Sequence, residues 1–164
     1  MELEKILHAD VDGGEGLLAV IVYSSSTGRL PSAVSSGMDI RRTETIPGMG
    51  TWFLTPHDAS LQVGILSHPA GHEVLPHFHP PQKRVITATM EALVIRSGRV
   101  RATFYSTGGK FAAERLLRDG DLLLILAGGH SFVMEEDTEI IEIKQGPYNG
   151  KSLDKVYFDR SAQE

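Results

Sequence analysis

Short apolar runs separated by turn residues dominate the chain from residue 51 onward. Each run is bounded by Gly, Pro, Asp or Ser, which is typical of β-strands joined by tight turns. The predicted strands are an early one at residues 17–23 and later ones at 61–66, 85–95, 100–105, 122–126 and 139–144. Residues 24–49 have little apolar periodicity and predict a long loop, and helical spacing fits at most one short helix, at 111–117. The pattern predicts an all-β protein.

Two glycine-containing turns predict how the strands are joined. Ser-Gly-Arg-Val at residues 97–100 and Ser-Thr-Gly-Gly-Lys at residues 106–110 each follow an apolar run. Glycine adopts the positive φ that a tight strand reversal requires, so both turns predict hairpins and together a meander. Closure protects the edges of many short strands, and we therefore expect an antiparallel double-sheet barrel or jelly roll.

The length of 164 residues is that of one domain with a substantial core. Within it we distinguish three regions. Residues 1–50 are expected to form a strand and a loop that pack on a barrel, residues 51–148 the barrel core, and residues 149–164 a C-terminal tail.

Composition and charge exclude several classes of partner. The chain is 41% hydrophobic and 23% charged with 17 glycines, as in soluble globular proteins. Its formal charge is −5 and its Lys and Arg residues are scattered, so we expect no nucleic-acid partner. The apolar runs are shorter than the ~20 residues that span a bilayer, and the acidic N-terminus does not resemble a secretory signal. These features predict a cytoplasmic protein without a membrane partner.

The residues from 77 to 91 suggest a metal site. The chain has no cysteine, so any metal must be held by nitrogen and oxygen ligands. His77 and His79 stand two residues apart and on a strand would point the same way, about 7 Å from each other. Glu91 lies on the apolar run that follows, on one face with Leu93 and Ile95. A buried carboxylate costs several kcal/mol unless it is paired, so Glu91 should bind a metal or a cation.

These residues resemble the first motif of the cupin superfamily, which contains Gly, five residues, His-x-His, a Glu, six residues and Gly. Here Gly71, His77, His79, Glu91 and Gly98 occupy those positions, with eleven residues between His79 and Glu91 where the family has three or four.

The stretch Gly120 to Met134 is similar to the second cupin motif. Gly120, Gly128 and His130 match it in kind, whereas Leu126 replaces a proline and Met134 an asparagine. The resemblance implies a cupin-like double-stranded β-helix, also described as a jelly-roll barrel. It also implies one divalent transition metal (Mn, Fe, Ni, Co or Zn) near one end of the barrel, bound by His77, His79, Glu91 and His130.

Polar residues after the histidine pair are candidates for substrate binding. Gln82, Lys83 and Arg84 would lie near the mouth of a barrel, where a guanidinium can bind a carboxylate or phosphate through two hydrogen bonds. The alternative is a solvated charge cluster on a loop. Thr87 shares the face of Glu91, so we take Gln82, Arg84 and Thr87 as the predicted substrate-binding residues.

The run 139–144 alternates between two faces. Ile140, Glu142 and Lys144 lie on one face, and Ile141 and Ile143 on the other. The second face is more apolar and is predicted to face the core, which leaves Glu142 and Lys144 in solvent.

The leading hypothesis is a metal-binding cupin that binds a small polar or anionic metabolite. Metal-dependent isomerase, lyase or dioxygenase chemistry would be open to such a site, and the sequence does not show whether any reaction is catalysed. The alternatives are a non-catalytic carbohydrate- or metabolite-binding barrel, or a metal-free sugar isomerase or epimerase with His77 or His79 as general base. A homodimer is expected, with strand 17–23 adding to the sheet of a partner.

Overall fold

The computed structural model describes residues 2–9, 15–23, 40–45 and 48–159. Almost all of the regular structure in these residues is β-strand. The strands are β1 (Glu2–Ala9), β2 (Glu15–Tyr23), β3 (Ile40–Thr45), β4 (Gly50–Phe53), β5 (Gly64–Ser67), β6 (Glu91–Ser97), β7 (Arg99–Tyr105), β8 (Phe111–Arg118), β9 (Leu122–Ile125), β10 (Gly129–Met134) and β11 (Glu139–Lys144), followed by one short helix, α1 (Lys151–Asp154). The all-β prediction is confirmed. In the described ranges, no helix has the length and apolar character to cross a membrane.

The strands form two main sheets and one separate hairpin. The larger sheet has six strands in the order β11-β6-β9-β2-β1-β3, the smaller has three in the order β10-β7-β8, and β4 pairs with β5. All of the pairs are antiparallel. Because β1, β2 and β3 belong to the larger sheet, the N-terminal region is continuous with the strands around β6.

The hydrophobic core lies between the two main sheets. Ile21, Leu93 and Leu123 from the larger sheet are buried in one cluster with Val100 and Phe104 from the smaller sheet. The opposite face of the larger sheet is also covered. There Val20, Val22 and Leu124 are buried in a second cluster, which residues around the β4-β5 hairpin complete. Residues 19–22 of β2 and the strand β9 are thus buried on both faces, which explains why their sequences are continuous apolar runs rather than alternating ones.

Several predicted elements are confirmed. Strands β2, β7, β9 and β11 lie where the apolar runs placed them, and residues 106–110 join β7 to β8 in a hairpin. The hairpin predicted at 97–100 is wrong. Strand β6 pairs with β9 and β11, and β7 pairs with β8 and β10, so this turn carries the chain from the larger sheet to the smaller one.

Other predictions are wrong in ways that affect the site. Residues 111–117 are not helical but form most of β8, because pairing with β7 outweighs the helical preference of Ala, Glu and Leu. The run 85–95 is strand only from Glu91, and the chain from 68 to 90 has no strand or helix. In the predicted loop 24–49, residues 40–45 form β3, whereas residues 24–39 and 46–47 lie outside the described residues.

The prediction for β11 is wrong for its isoleucines. Ile140 packs against the core cluster, whereas Ile141 and Ile143 are exposed on the outer face. Glu142 is exposed as predicted, although it also lines a cavity, and Lys144 is only partly exposed. The number of apolar residues on each face predicted the wrong orientation for the isoleucines, because the inner face of this strand borders a polar cavity.

Strand 17–23 does not have the predicted role in dimerisation. It forms most of β2, which pairs with β1 on one side and with β9 on the other, so neither edge is available to a partner. The division of the chain into regions of one domain stays a prediction.

Candidate functional site

A cavity of about 720 Å³ opens between the two main sheets. Its apolar floor comes from Leu93 and Ile125 of the larger sheet and from Phe132 of the smaller one. One wall is formed by Asp154, the last residue of α1, and by residues 155–158, which follow it. The size lies within the range of small-molecule sites in proteins.

Glu91 and His130 meet in this cavity, one from each sheet. Glu91 is the first residue of β6 and lies in register between Lys144 of β11 and Ile125 of β9. His130 is the second residue of β10, opposite Phe104 of β7. The distance from His130 Nε2 to Glu91 Oε2 is 3.2 Å. The pairing expected for a carboxylate on an apolar face is therefore present.

The surroundings of Glu91 favour its ionised form. The hydrogen bond from His130 is the main cause that lowers the pKa of Glu91 below its ordinary value, while burial opposes it by raising the pKa. The charges of His130, Lys155 and Lys144 lower it further. Glu91 is only 7% exposed, and its carboxylate stays charged because these partners outweigh the effect of burial.

The second ring nitrogen of His130 has a different environment. His130 Nδ1 is buried and has no hydrogen-bond partner among the described residues. A buried polar atom without a partner reduces stability by about 1–3 kcal/mol, which a bound water or ligand group can recover.

Lys144 links the Glu91 site to the C-terminal wall. Its Nζ donates a hydrogen bond to Asp154 Oδ2 at 2.7 Å and lies 4.0 Å from Glu91 Oε1. The hydrogen bond to Asp154 raises the pKa of Lys144, partial burial lowers it, and the charges of Asp154, Glu142 and Glu91 raise it further. The ammonium therefore remains charged and holds Asp154 at the edge of the cavity.

Phe158 closes the far side of this wall. Its ring packs edge-on against Tyr105, with centroids 5.2 Å apart and planes at 82°. A Cβ on Gly129 would lie 2.9 Å from the Phe158 ring, so glycine at 129 permits the close approach of this side chain. The sequence predicts residues 149–164 only as a tail and misses the contribution of residues 154–158 to the cavity.

Sequence reasoning also missed Lys144. A signal was present, since Glu142 and Lys144 share a face with Ile140, and charges on the inner face of a strand indicate a polar cavity. The apolar appearance of the opposite face obscured that signal.

The structure does not bring His77 and His79 to the cavity. Both are exposed on the stretch without regular structure, with ring centroids 5.3 Å apart, and His77 Nδ1 lies 2.8 Å from the carbonyl oxygen of Leu75. Neither lines the cavity. Of the four predicted metal ligands, Glu91 and His130 are together and the two others are elsewhere. The ranges that the structure describes contain no group of three or more His, Asp or Glu side chains placed to hold a metal ion.

The predicted substrate-binding residues lie on the same exposed stretch. Arg84 Nη2 is 3.4 Å from Gln82 Oε1, a contact between neighbours, and Thr87 is exposed. None of the three lines the cavity. Their role in substrate binding stays a prediction.

Comparisons with family models, curated proteins and solved structures found no match to this chain. The cupin resemblance therefore rests on the motif residues alone. An ionised carboxylate beside an imidazole can accept and return a proton, and both groups can hydrogen-bond a polar ligand.

Proposed function

We propose that this protein binds a small polyhydroxylated metabolite, of about the size of a sugar, in the cavity between its two sheets. The observation that carries the proposal is the pair formed by Glu91 and His130 within a cavity of about 720 Å³. An apolar floor with a few convergent polar groups is the usual composition of a small-molecule site.

The charges around the cavity support a neutral ligand rather than an anion. Glu91, Glu142 and Asp154 all line it, whereas Lys155 is the lysine that does so. Carboxylates accept hydrogen bonds, so they favour ligands that present hydroxyl or amine donors. The aromatic ring of Phe132 can cover an apolar face of such a ligand.

The same pair supports proton transfer beside a carbonyl. Glu91 is ionised and can take a proton from carbon, while His130 can donate a hydrogen bond to the neighbouring oxygen. Isomerisation or epimerisation by this route would exchange a carbon-bound proton of the ligand with solvent. Binding without turnover would not, so this exchange distinguishes the two.

The test uses a panel of neutral aldoses, ketoses and polyols as probes. Saturation-transfer NMR measures binding, and proton NMR in D₂O measures loss of carbon-bound protons. We expect at least one probe to bind, with affinity reduced about tenfold or more in Glu91→Gln and His130→Asn, since each removes a polar contact worth about 1.5–3 kcal/mol. Glu73→Gln and His57→Asn, both in exposed residues, should bind as the wild type does.

Two outcomes would contradict this proposal. One is that no member of the panel binds the wild-type protein. The other is binding that Glu91→Gln and His130→Asn leave unchanged, which would place the ligand elsewhere. Circular dichroism of each variant confirms that it has folded.

We propose metal binding at the same pair as a second candidate function. Two ligand atoms that each lie about 2.1 Å from one metal ion, with a ligand–metal–ligand angle of about 100°, are about 3.2 Å apart. Glu91 Oε2 and His130 Nε2 have this separation. The full four-residue set does not fit as the structure places it, because His77 and His79 are outside the cavity.

Metal content by mass spectrometry tests the second candidate. After loading with Mn²⁺, Fe²⁺, Ni²⁺, Co²⁺ or Zn²⁺ and dialysis, we expect about one ion per chain in the wild type. The ion should be lost in Glu91→Gln/His130→Asn and retained in His57→Asn. Loss in His77→Ala/His79→Ala would add those two histidines to the site, and less than about a tenth of an ion in the wild type would contradict metal binding.

We also propose that the two sheets form a cupin-like jelly-roll barrel. All four motif glycines, Gly71, Gly98, Gly120 and Gly128, adopt positive φ values between 74° and 95°. The motif spacing thus coincides with turns that require glycine, which supports the resemblance independently of any ligand.

A further inference from the structure

The segment at residues 68–89, here called the arm, differs from the rest of the described chain. It has no strand or helix, and every one of its side chains is exposed. Its apolar residues include Leu75, Phe78 and Val85, and Phe78 is 87% exposed. Leaving large apolar side chains in water forgoes about 1.5–3 kcal/mol each, so this surface is typical of a segment that packs on a partner.

The arm makes few hydrogen bonds to the rest of the described chain. His72 N donates to Pro69 O at 3.1 Å and His77 Nδ1 contacts Leu75 O, both within the arm. The arm contacts the rest of the described chain near its two ends. At one end Thr51 Oγ1 lies 3.4 Å from His68 Nε2, and at the other Met90 N, directly after the arm, donates to Gln145 Oε1 at 2.7 Å. Because both ends are anchored, the twenty-two residues of the arm can extend at most about 35 Å from the rest of the chain, which is far enough to contact a second molecule.

The chain itself carries a complementary surface on β11. This strand is at the edge of the larger sheet, where it pairs with β6 on one side. Its outer face exposes Ile141 and Ile143, the latter at 55%. An edge strand with exposed apolar side chains is suited to pairing with an extended segment of another chain.

Charge also matches the arm to β11. The arm carries Lys83 and Arg84 close to Val85, against a single carboxylate at Glu73. The stretch 135–142 carries five carboxylates, and three arginines from β6 and β7 pair with Glu135, Glu136 and Glu139. Asp137, two residues before β11, is not among these pairs and can complement the basic part of the arm.

We propose that the arm of one copy of this chain packs along β11 of a second copy to form a homodimer. The interface buries Leu75, Phe78 and Val85 against Ile141 and Ile143, and backbone pairing with the sheet edge is confined to residues 82–89, which contain no proline. It differs from dimerisation through residues 17–23, which are internal to the sheet, and it does not depend on the ligand of the cavity.

The absence of cysteine from the sequence permits a direct test by cross-linking. Phe78→Cys and Ile141→Cys are made in separate chains that carry different tags, mixed, and treated with a short bis-maleimide. We expect a cross-linked product that contains both tags. Phe78→Cys mixed with Leu66→Cys is the matched control, because Leu66 is an exposed strand residue outside the proposed interface, and it should give no such product.

Light scattering supplies the second readout. The wild type should have twice the chain mass of 17.9 kDa, and Leu75→Ser/Phe78→Ser should raise the dimer dissociation constant about tenfold or more. Met49→Ser/Leu66→Ser, which also changes two exposed apolar residues, should remain as dimeric as the wild type. A monomeric wild type would overturn the proposal. So would a Phe78→Cys/Ile141→Cys double variant that cross-links only within one chain, since the arm would then fold back on its own sheet.

Discussion

At the scale of single residues, the sequence showed which carboxylate had to have a partner but not which partner it would have. Glu91 stands on an alternating apolar face with Leu93 and Ile95, and all three are buried. His130 was connected to Glu91 through the motif resemblance, and the structure places the two side chains 3.2 Å apart. His77 and His79 were expected to point the same way only because a strand was expected there. Without the strand, the two-residue spacing loses that geometric meaning.

The lowered pKa of Glu91 predicts how stability depends on pH. A carboxyl group whose folded pKa lies below its unfolded value stabilises the fold above the unfolded value, which is near 4.5, and that contribution is lost as the pH falls through the folded pKa. Between about pH 6 and pH 3, the free energy of unfolding should therefore fall more steeply in the wild type than in Glu91→Gln. Urea denaturation at a series of pH values measures both slopes.

A matched variant isolates this contribution. Glu73→Gln changes an exposed carboxylate on the arm and should keep the wild-type dependence on pH. Equal slopes for Glu91→Gln and the wild type would show that the hydrogen bond from His130 does not stabilise the ionised carboxylate in solution.

At the scale of elements, strands buried on both faces were the easiest to predict. Continuous apolar runs gave β2 and β9 directly, and glycines marked the hairpin between β7 and β8. Strand β8 was missed because its Ala, Glu and Leu residues favour helices, and only pairing with a distant segment decides its structure. The partners of β6 were missed for a related reason. A tight turn shows that the chain reverses, but not whether the next strand joins the same sheet.

Gly98 is the residue at which the chain changes sheets. Its φ is 95°, and a Cβ there would lie 2.4 Å from the carbonyl oxygen of Asp137. Backbone strain and this clash together predict that Gly98→Ala lowers the free energy of unfolding by about 2–4 kcal/mol. Thermal and urea denaturation measure the loss.

Gly150 provides the control for that prediction. Its φ of 96° is nearly the same, but a Cβ there would meet no atom within 4 Å. Gly150→Ala should therefore cost only the strain of positive φ, about 1–2 kcal/mol. If the two variants were equally destabilised, the close approach of Asp137 to the turn would not contribute to stability.

At the scale of the whole molecule, two side-chain pairs connect the main sheets within the part of the chain that the structure describes. Glu91 of β6 and His130 of β10 form one of them, at the cavity. Glu4 of β1 and Arg115 of β8 form the other, with Arg115 Nε and Nη2 donating to Glu4 Oε1 at 3.0 and 2.8 Å. Glu4 and Arg115 are 5% and 7% exposed and do not line the cavity. The Glu4–Arg115 pair therefore holds the two sheets together, whereas the Glu91–His130 pair lies where a ligand in the cavity can contact it.

The buried pair predicts a non-additive response to mutation. Glu4→Met or Arg115→Met should each lower the free energy of unfolding by about 3–5 kcal/mol, because each breaks both hydrogen bonds of a buried ion pair. The double variant Glu4→Met/Arg115→Met removes both charges and should be less destabilised than either single variant. The exposed pair Arg96–Glu139, within the larger sheet at 2.8 Å, is the control, and its single variants should change stability by about 1 kcal/mol or less. Additive losses at Glu4 and Arg115 would contradict this account, since each side chain would then stabilise the junction of the sheets independently of the other.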